Sequence, residues 1–264
     1  MAEYPHILAA NALEKAAVSS TVVEDPVYRL AHLSDRSRLS KWAGPWTGSE
    51  RTQEVRFTFT DEQTAPGGAA ESLDTFVLDR HFILNPGAAL SLQCAQSSDF
   101  SAGLETMLTL ANLDSAKTYW RAIPPRSRRW WRICLSGLAG APHIFNVWLG
   151  RRIELTFGPV GEFDPFEEEI VGEPVHGASG GFQWTQRYRR RLLRANFENL
   201  NEARHALIER WWREAGQDGR NWWWLTWPVS HPDDPLYLNC EGISRRFALN
   251  GAMRSGVIEA REVK

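Results

Sequence analysis

The segment Gly177–Gly181 reads Gly-Ala-Ser-Gly-Gly and fits the GxSxG pattern, in which the serine is the nucleophile of a hydrolase. Asp218 and His231 follow it in the order that a Ser-Asp-His triad of this class uses. The pattern requires a buried strand before the serine and a helix directly after it. Here a Pro/Gly-rich stretch precedes Ser179 and a strand-like segment follows, which favours a flexible linker. We therefore predict no enzymatic activity, and keep a hydrolase as a hypothesis that Ser179→Ala would test.

Histidine and cysteine spacing gives no metal or cofactor motif. The seven histidines form no HExxH pair, and Cys94, Cys134 and Cys240 are far apart with no CxxC. Buried free thiols are expected at such positions. We predict no cofactor and no metal site, while a calcium ion held by loop carboxylates stays an open alternative.

Charge and hydropathy restrict the partners. Lys+Arg 30 against Asp+Glu 32 gives a net charge of -2, which argues against nucleic acid as the main ligand. The chain has no apolar run long enough to cross a membrane, and its N-terminus shows no basic segment followed by an apolar run. We therefore predict no membrane insertion.

Two segments of opposite charge are candidates for a contact. The acidic one lies within the Gly/Pro-rich span Gly158–Gly181 and the basic one follows that span. Their charged members include Glu167, Glu168, Glu169, Arg187, Arg189, Arg190 and Arg191. Three interpretations stay open: a solvated strand edge, a head-to-tail contact between identical subunits, and phosphate binding. We assign these residues, with Trp212 and Trp223, to a predicted subunit interface.

Tryptophan usage is unusual, because Leu207–Pro228 holds six of the 13 tryptophans. This stretch reads as a helix end, a glycine turn and a strand. In strand geometry Trp222 and Trp224 point to one face and Trp223 to the other, so both faces are apolar. Such a strand must be covered on both sides, by its own domain or by another subunit.

A second aromatic pair is a candidate sugar contact. Trp130 and Trp131 lie among Arg128, Arg129 and Arg132, a combination that stacks on sugars or bases. On a strand one of the two must face inward, so at most one contacts a ligand.

Short strands separated by Gly/Pro turns recur along the first part of the chain. They are predicted at Glu54–Thr60, Ser72–Leu78, Ala88–Cys94, Arg129–Leu135 and Ile144–Leu149. This spacing predicts a β-sandwich over residues 1–158. After a linker at 159–181, residues 182–264 are predicted as a small β-sandwich or barrel with one helix, at about Asn201–Ala215. The expected fold class is mainly β, with two β-sandwich domains.

The first domain resembles the galactose-binding-like (discoidin-like) jelly rolls that occur in bacteriophage tail proteins. The matching stretches are Asp74–Phe82, Arg128–Ile133 and Ile144–Gly150. The second domain is similar to the small β-sandwich with one helix of distal-tail and tail-tip proteins of long-tailed phages. Its matching stretches are Arg191–Phe197, the helix through Trp211, Trp222–Pro228 and Tyr237–Gly242.

The resemblance implies a structural protein of a tailed-phage virion, at the tail tip or baseplate. It would be made in the host cytoplasm and located in the virion tail. The second domain would form a ring of identical subunits, and the first would dock other tail proteins. The alternative is a carbohydrate-binding protein whose first domain holds a sugar, for example a glycan of the host surface.

Overall fold

The computed structural model shows a mainly β protein, as the sequence predicts. It describes residues 3–22, 25–46, 48, 51–59, 72–83, 87–115, 117–176, 182–240, 246–250 and 253–264. The chain divides into two compact units. We call them the sandwich unit, Ala10–Arg152, and the sheet–helix unit, Met1–Ala9 with Ile153–Lys264.

This division differs from the predicted one. Strand β1 (His6–Leu8) pairs with β14 (Trp222–Leu225), so the N-terminal residues belong with the C-terminal part. The predicted linker at 159–181 contains strand β12 (Glu168–His176). The sandwich unit is thus an insertion between β1 and the rest of the sheet–helix unit. A strand paired with such a distant partner leaves no local signal in the sequence.

Two antiparallel sheets form the sandwich unit. Their strands are β2 (Ala17–Ser20), β3 (Trp42–Ala43), β4 (Thr52–Thr58), β5 (Leu73–Phe82), β6 (Ala89–Ala95), β7 (Glu105–Ala111), β8 (Tyr119–Arg126), β9 (Trp130–Ser136) and β10 (His143–Gly150). One sheet has the order β2-β4-β9-β6-β7 and the other β3-β10-β5-β8. Phe57 lies opposite Trp131 in the first sheet, and Phe76 opposite Leu149 in the second. All four are buried in one core, each stabilising the fold by about 1.5–3 kcal/mol.

The strands predicted for this unit all occur, as β4, β5, β6, β9 and β10. Sequence reasoning missed β7 and β8, which lie at the edges of the two sheets. Most β7 side chains face solvent at least partly, and β8 contains Pro124 and Pro125. Polar side chains and prolines are typical of edge strands, so the alternation that marks central strands is weak there.

The sheet–helix unit has one sheet and the helix α1 (Glu202–Trp211). Its other strands are β11 (Ile153–Glu154), β13 (Phe182–Leu200), β15 (Leu236–Asn239), β16 (Arg246–Asn250) and β17 (Met253–Glu262). The order is β11-β1-β14-β15-β17-β13-β12, with β16 beside β17. The Asn201 side chain accepts a hydrogen bond from the Arg204 backbone N–H and caps the helix; Asn199 and Asn201 are the two cap candidates that the sequence offers.

The tryptophan-rich strand β14 is buried within the chain. Trp222 and Trp224 face α1, where the Trp211 ring packs against Trp222 with 5.1 Å between centroids. Trp223 faces the opposite side and packs on Tyr237 at 4.6 Å. Trp222, Trp223 and Trp224 are each 0% exposed. Trp223 therefore lies in the interior of one chain, not at the predicted subunit interface.

Candidate functional site

Three of the four arginines of the predicted interface, Arg187, Arg189 and Arg190, pair with glutamates within a single hairpin. Strands β12 and β13 place Glu169 opposite Arg190 and Glu168 opposite Arg191. The ion pairs are Arg187–Glu173 (2.7 Å), Arg189–Glu168 (3.6 Å), Arg190–Glu169 (2.8 Å), Arg191–Asp234 (2.8 Å) and Arg194–Glu167 (3.3 Å). The hydrogen bond from Arg190 is the main reason why the pKa of Glu169 lies below its ordinary value. The pairing assigned from the sequence to two subunits is thus made within one chain.

Among the candidate sugar and interface contacts Trp130, Trp131 and Trp212, only Trp131 is fully buried. Trp131 is 0% exposed and its indole N–H donates to the Arg128 carbonyl at 2.9 Å, so it cannot contact a sugar. Trp130 is half-buried, with the Arg129 guanidinium 5.4 Å from its ring. Trp212 is half-buried against the core of the sheet–helix unit.

The hydrolase hypothesis has no assembled triad among the described residues. Ser179 and the rest of its GxSxG segment lie outside them. Asp218 forms an ion pair with Arg220 at 3.2 Å, and the His231 ring packs against Trp227. Asp218 and His231 thus contact different residues and not each other in these interactions.

Metal-binding groups and membrane-spanning helices are both absent from the part of the chain that the structure describes. It contains no group of three or more histidine, cysteine or acidic residues arranged to hold a metal ion. None of its helices has the length and apolar character needed to cross a membrane.

An exposed aromatic cluster lies at one end of the sandwich unit. We call Tyr28, Lys41, Phe82, His143 and Phe145 the aromatic site. Phe82 ends β5 and lies directly opposite His143, which begins β10. Phe145 follows on the same face of β10, with 5.9 Å between its ring centroid and that of Phe82. The end of one sheet therefore presents two phenyl rings and an imidazole side by side.

Two loops complete the aromatic site. Lys41 precedes β3, which pairs with the start of β10. Tyr28 follows a turn in which Asp25 Oδ1 accepts from the backbone N–H groups of Val27 and Tyr28, at 2.7 and 3.4 Å. The Tyr28 ring stacks on His143 with an interplanar angle of 22°.

Lys41 and His143 supply the polar groups of this cluster. The Lys41 ammonium donates to His143 Nδ1 at 3.1 Å and lies 5.1 Å from the centroid of Tyr28. The pKa of His143 lies below its ordinary value, first because of burial and second because of the neighbouring Lys41 charge. His143 is therefore a neutral acceptor near pH 7.

A cavity of about 250 Å³ opens beside the aromatic rings. It is lined by Phe82, Ile83 and the loop segment Leu138–His143. Phe82 is 48% exposed and Tyr28 37%, so both present ring surface to solvent. An apolar cavity with a few polar groups at its rim is the usual form of a small-molecule binding site.

A larger cavity in the same unit lacks these features. It has a volume of about 510 Å³ and is lined by Leu13, Glu14, Ala16, Val18, Leu30, Ala31, Ser34 and Asp35. It contains no aromatic ring, and its Glu14 pairs with Arg36. We therefore take the smaller cavity as the candidate site.

Sequence reasoning missed the aromatic site. Its members come from three distant parts of the chain, and single aromatic residues in loops are too common to be a signal. The resemblance includes Phe82 in the stretch Asp74–Phe82, but its exposure follows from an interruption of the strand alternation at Arg80, whose φ is 48°.

The fold and site define a mainly β chain with an inserted β-sandwich that carries an exposed aromatic site. No family model matches the sequence, and no curated protein is similar to it. Solved structures resemble part of the chain, and the examples are carbohydrate-binding modules.

One is chitosan-binding module 1 of a chitosanase/glucanase from Paenibacillus sp. IK-5, with 12% identity, a TM-score of 0.41, and coverage of 53% of this chain and 98% of the module. A module from Clostridium perfringens in complex with GalNAc-β-1,3-galactose shows 11% identity, a TM-score of 0.41, and coverage of 54% and 99%. The family 32 module of NanJ from C. perfringens, in complex with galactose, shows 11% identity, a TM-score of 0.41, and coverage of 56% and 99%. Similarity at this level does not identify a ligand for this chain.

Proposed function

We propose that the protein binds a glycan without chemical turnover, and that the aromatic site of the sandwich unit holds the sugar. The observation that carries this proposal is the exposure of Phe82 and Tyr28, 48% and 37%, beside an apolar cavity whose lining includes Phe82 and His143. Aromatic side chains that remain this exposed in a cluster mark interaction sites.

The chemistry of the site fits a pyranose ring. The face of an aromatic ring is electron-rich and attracts the weakly positive C–H groups that line one face of a sugar. The Lys41 ammonium has two further N–H donors beyond its bond to His143, and sugar hydroxyls accept from such groups. The cavity is slightly below the usual range for drug-sized ligands, which begins at about 300 Å³, and suits a single sugar ring.

The test is binding of the full-length protein to a glycan array, followed by calorimetry on the strongest ligand. Phe82→Ala should weaken that binding about tenfold, because about 1.4 kcal/mol of ring contact is lost. Trp184→Ala is the matched control, since Trp184 is 51% exposed but lies in the other unit. Absence of saturable binding, or equal binding by Phe82→Ala, would refute the proposal. The glycan should be recovered unchanged.

A second candidate function is a ring-forming structural protein of a phage tail, located in the virion. It is favoured by the hairpin of β12 with the first half of β13 (Phe182–Arg191), which we call the ribbon. In the described residues this part of β13 pairs only with β12, which is the edge strand of the sheet. A two-stranded ribbon without further cover is marginally stable in water.

The ribbon has an uncovered apolar strip on the face that continues the core. Ile170 lies opposite Arg189, which shares its face of β13 with the buried Leu193. A Cβ atom on Gly172 would come within 2.8 Å of the Trp184 indole, so that ring lies over Gly172 on the same face as Ile170. Ile170 and Trp184 are 49% and 51% exposed, which suits burial against a second copy of the chain.

Solution mass measured over a range of protein concentration, with negative-stain imaging, tests this candidate. A closed ring should form, and Trp184→Ala should weaken it about tenfold while Phe82→Ala leaves it intact. Added salt should change assembly little, because the ribbon charges pair within one chain. A monomer at all concentrations, or a ring that Trp184→Ala leaves unchanged, would speak against it.

A further inference from the structure

The charge at the aromatic site is unbalanced. The Lys41 ammonium contacts His143 Nδ1 at 3.1 Å and the rings of Tyr28 and Phe145 at 5.1 and 5.8 Å. Within the described residues it has no carboxylate at ion-pair distance. Its nearest polar neighbour is thus a neutral imidazole, which accepts one of its three N–H groups.

Other cations of the sandwich unit are arranged differently. Many of its arginines contact carboxylates of the same chain, in the pairs Arg36–Glu14, Arg38–Asp79, Arg56–Glu54, Arg126–Glu105, Arg128–Glu105, Arg132–Glu54 and Arg152–Asp74. Asp25, the acidic residue closest in sequence to Tyr28, points its Oδ1 at backbone N–H groups. A half-buried cation against aromatic rings, with no acidic partner in the described part of the chain, is an arrangement that an anionic ligand completes.

His143 can strengthen the binding of such an anion. Burial and the Lys41 charge hold its pKa below the ordinary value in the free protein. A carboxylate beside Lys41 and His143 would oppose both causes, because its negative charge favours the protonated imidazole and balances the Lys41 charge. Binding would then favour proton uptake by His143, whose titratable neighbours in the structure are Lys41 and Tyr28.

We propose that the sugar held at the aromatic site carries a carboxylate, as hexuronates and sialic-type sugars do, and that Lys41 selects it. This rests on the proposed glycan binding. The ring packs on Phe82 and Tyr28, and the carboxylate lies against Lys41 and His143. Neutral sugars use the same rings but leave the Lys41 charge without a partner.

The test compares oligogalacturonate with a neutral galactose oligosaccharide of the same length. The wild-type chain should bind the acidic oligosaccharide at least tenfold more tightly than the neutral one. Its affinity for the acidic oligosaccharide should fall as the salt concentration increases. Lys41→Gln should remove this preference, because it weakens binding of the acidic oligosaccharide at least tenfold more than binding of the neutral one. An unchanged melting temperature shows that the variant is folded. Lys41→Arg should keep most of the preference, and Lys117→Gln, which removes an exposed lysine elsewhere in the unit, should leave it unchanged.

A pH series adds a readout that general damage to the fold would not produce. Affinity for oligogalacturonate should rise as the pH falls from 7.5 to 5.5, because protonated His143 adds a second cation, whereas affinity for the neutral sugar should stay level. His143→Gln should abolish the rise. Equal affinity for both oligosaccharides, or a preference that survives Lys41→Gln, overturns the inference and leaves glycan binding standing. Failure of every glycan to bind overturns the proposed function itself.

Discussion

One ion pair of the sandwich unit and one ion pair of the ribbon differ strongly in their exposure to solvent. In the sandwich unit Asp79 is 0% exposed and its carboxylate accepts two hydrogen bonds from the Arg38 guanidinium, at 2.8 and 3.0 Å. In the ribbon, the side chains of Arg187 and Glu173 pair at 2.7 Å but stay 60% and 53% exposed. Water solvates the ribbon charges with or without a partner, whereas Asp79 has lost that water and depends on Arg38.

Charged side chains of this protein are therefore of three kinds: those that stabilise the fold, those that are solvated at the surface, and those that are available to bind a ligand. Arg38 and Asp79 belong to the first kind and the ribbon pairs to the second. Lys41 fits neither description, because it is half-buried and has no carboxylate among the described residues. A cation of this third kind beside exposed aromatic rings is what the proposed glycan site uses.

The largest effect is expected from Arg38→Met, which leaves the Asp79 carboxylate buried without its guanidinium. Unfolding free energy of the sandwich unit should fall by about 3–5 kcal/mol, as measured by urea denaturation. The double variant Arg38→Met with Asp79→Leu should recover much of this loss, since no lone buried charge remains. A loss below about 1 kcal/mol for the single variant would show that the pair is as well solvated as those of the ribbon.

A smaller effect, dependent on pH, is expected at His81 near the same pair. His81 is 1% exposed, and burial, the main cause, lowers its pKa against smaller opposing effects of Asp114 and Asp79. Below pH 6.5, the ordinary pKa of histidine, His81 is protonated in the unfolded chain but stays neutral in the folded chain until a lower pH. Stability should therefore fall as pH decreases from 7.5 to 5.5, by up to about 1.4 kcal/mol per pH unit.

His81→Leu should flatten that slope. The pKa of His143 is also lowered and acts in the same direction, so the comparison is repeated in a His143→Gln background. Half-buried Glu262, whose pKa is lowered from 4.5, loses its contribution to stability only at lower pH, outside this window. An unchanged slope in His81→Leu would mean that the buried histidine is not what couples the fold to pH.

Sequence and structure agree where the information is local. Alternation of apolar residues predicts β4 from Glu54–Thr60, because neighbouring side chains of one strand face opposite layers. The tryptophan strand is visible for the same reason, and the Asn201 cap is visible because it depends only on residues that are close in sequence. None of these patterns says which strands are neighbours in space.

The candidate site could not be predicted because it depends on that missing information. Phe76 is 0% exposed and Phe82 48%, because alternation along β5 is interrupted at Arg80, whose φ is 48°, and Ile83 rather than Phe82 joins the core beyond it. The charged runs around residues 167 and 190 are equally plain in the sequence. Their partners became apparent only when β12 and β13 were seen to be one hairpin.

The smallest effect is expected from Arg189→Gln in the ribbon. Arg189 pairs with Glu168 at 3.6 Å, and the two side chains are 57% and 49% exposed. Unfolding free energy should change by less than about 0.5 kcal/mol, and solution mass at a fixed concentration should stay the same, because solvent replaces the pair. Trp184→Ala at the same face serves as the comparison, since it should lower the mass of any assembly. If Arg189→Gln alone dissociates that assembly, the ribbon charges act between subunits. The ribbon pairs would then not be the solvated surface pairs that we contrast with Arg38–Asp79.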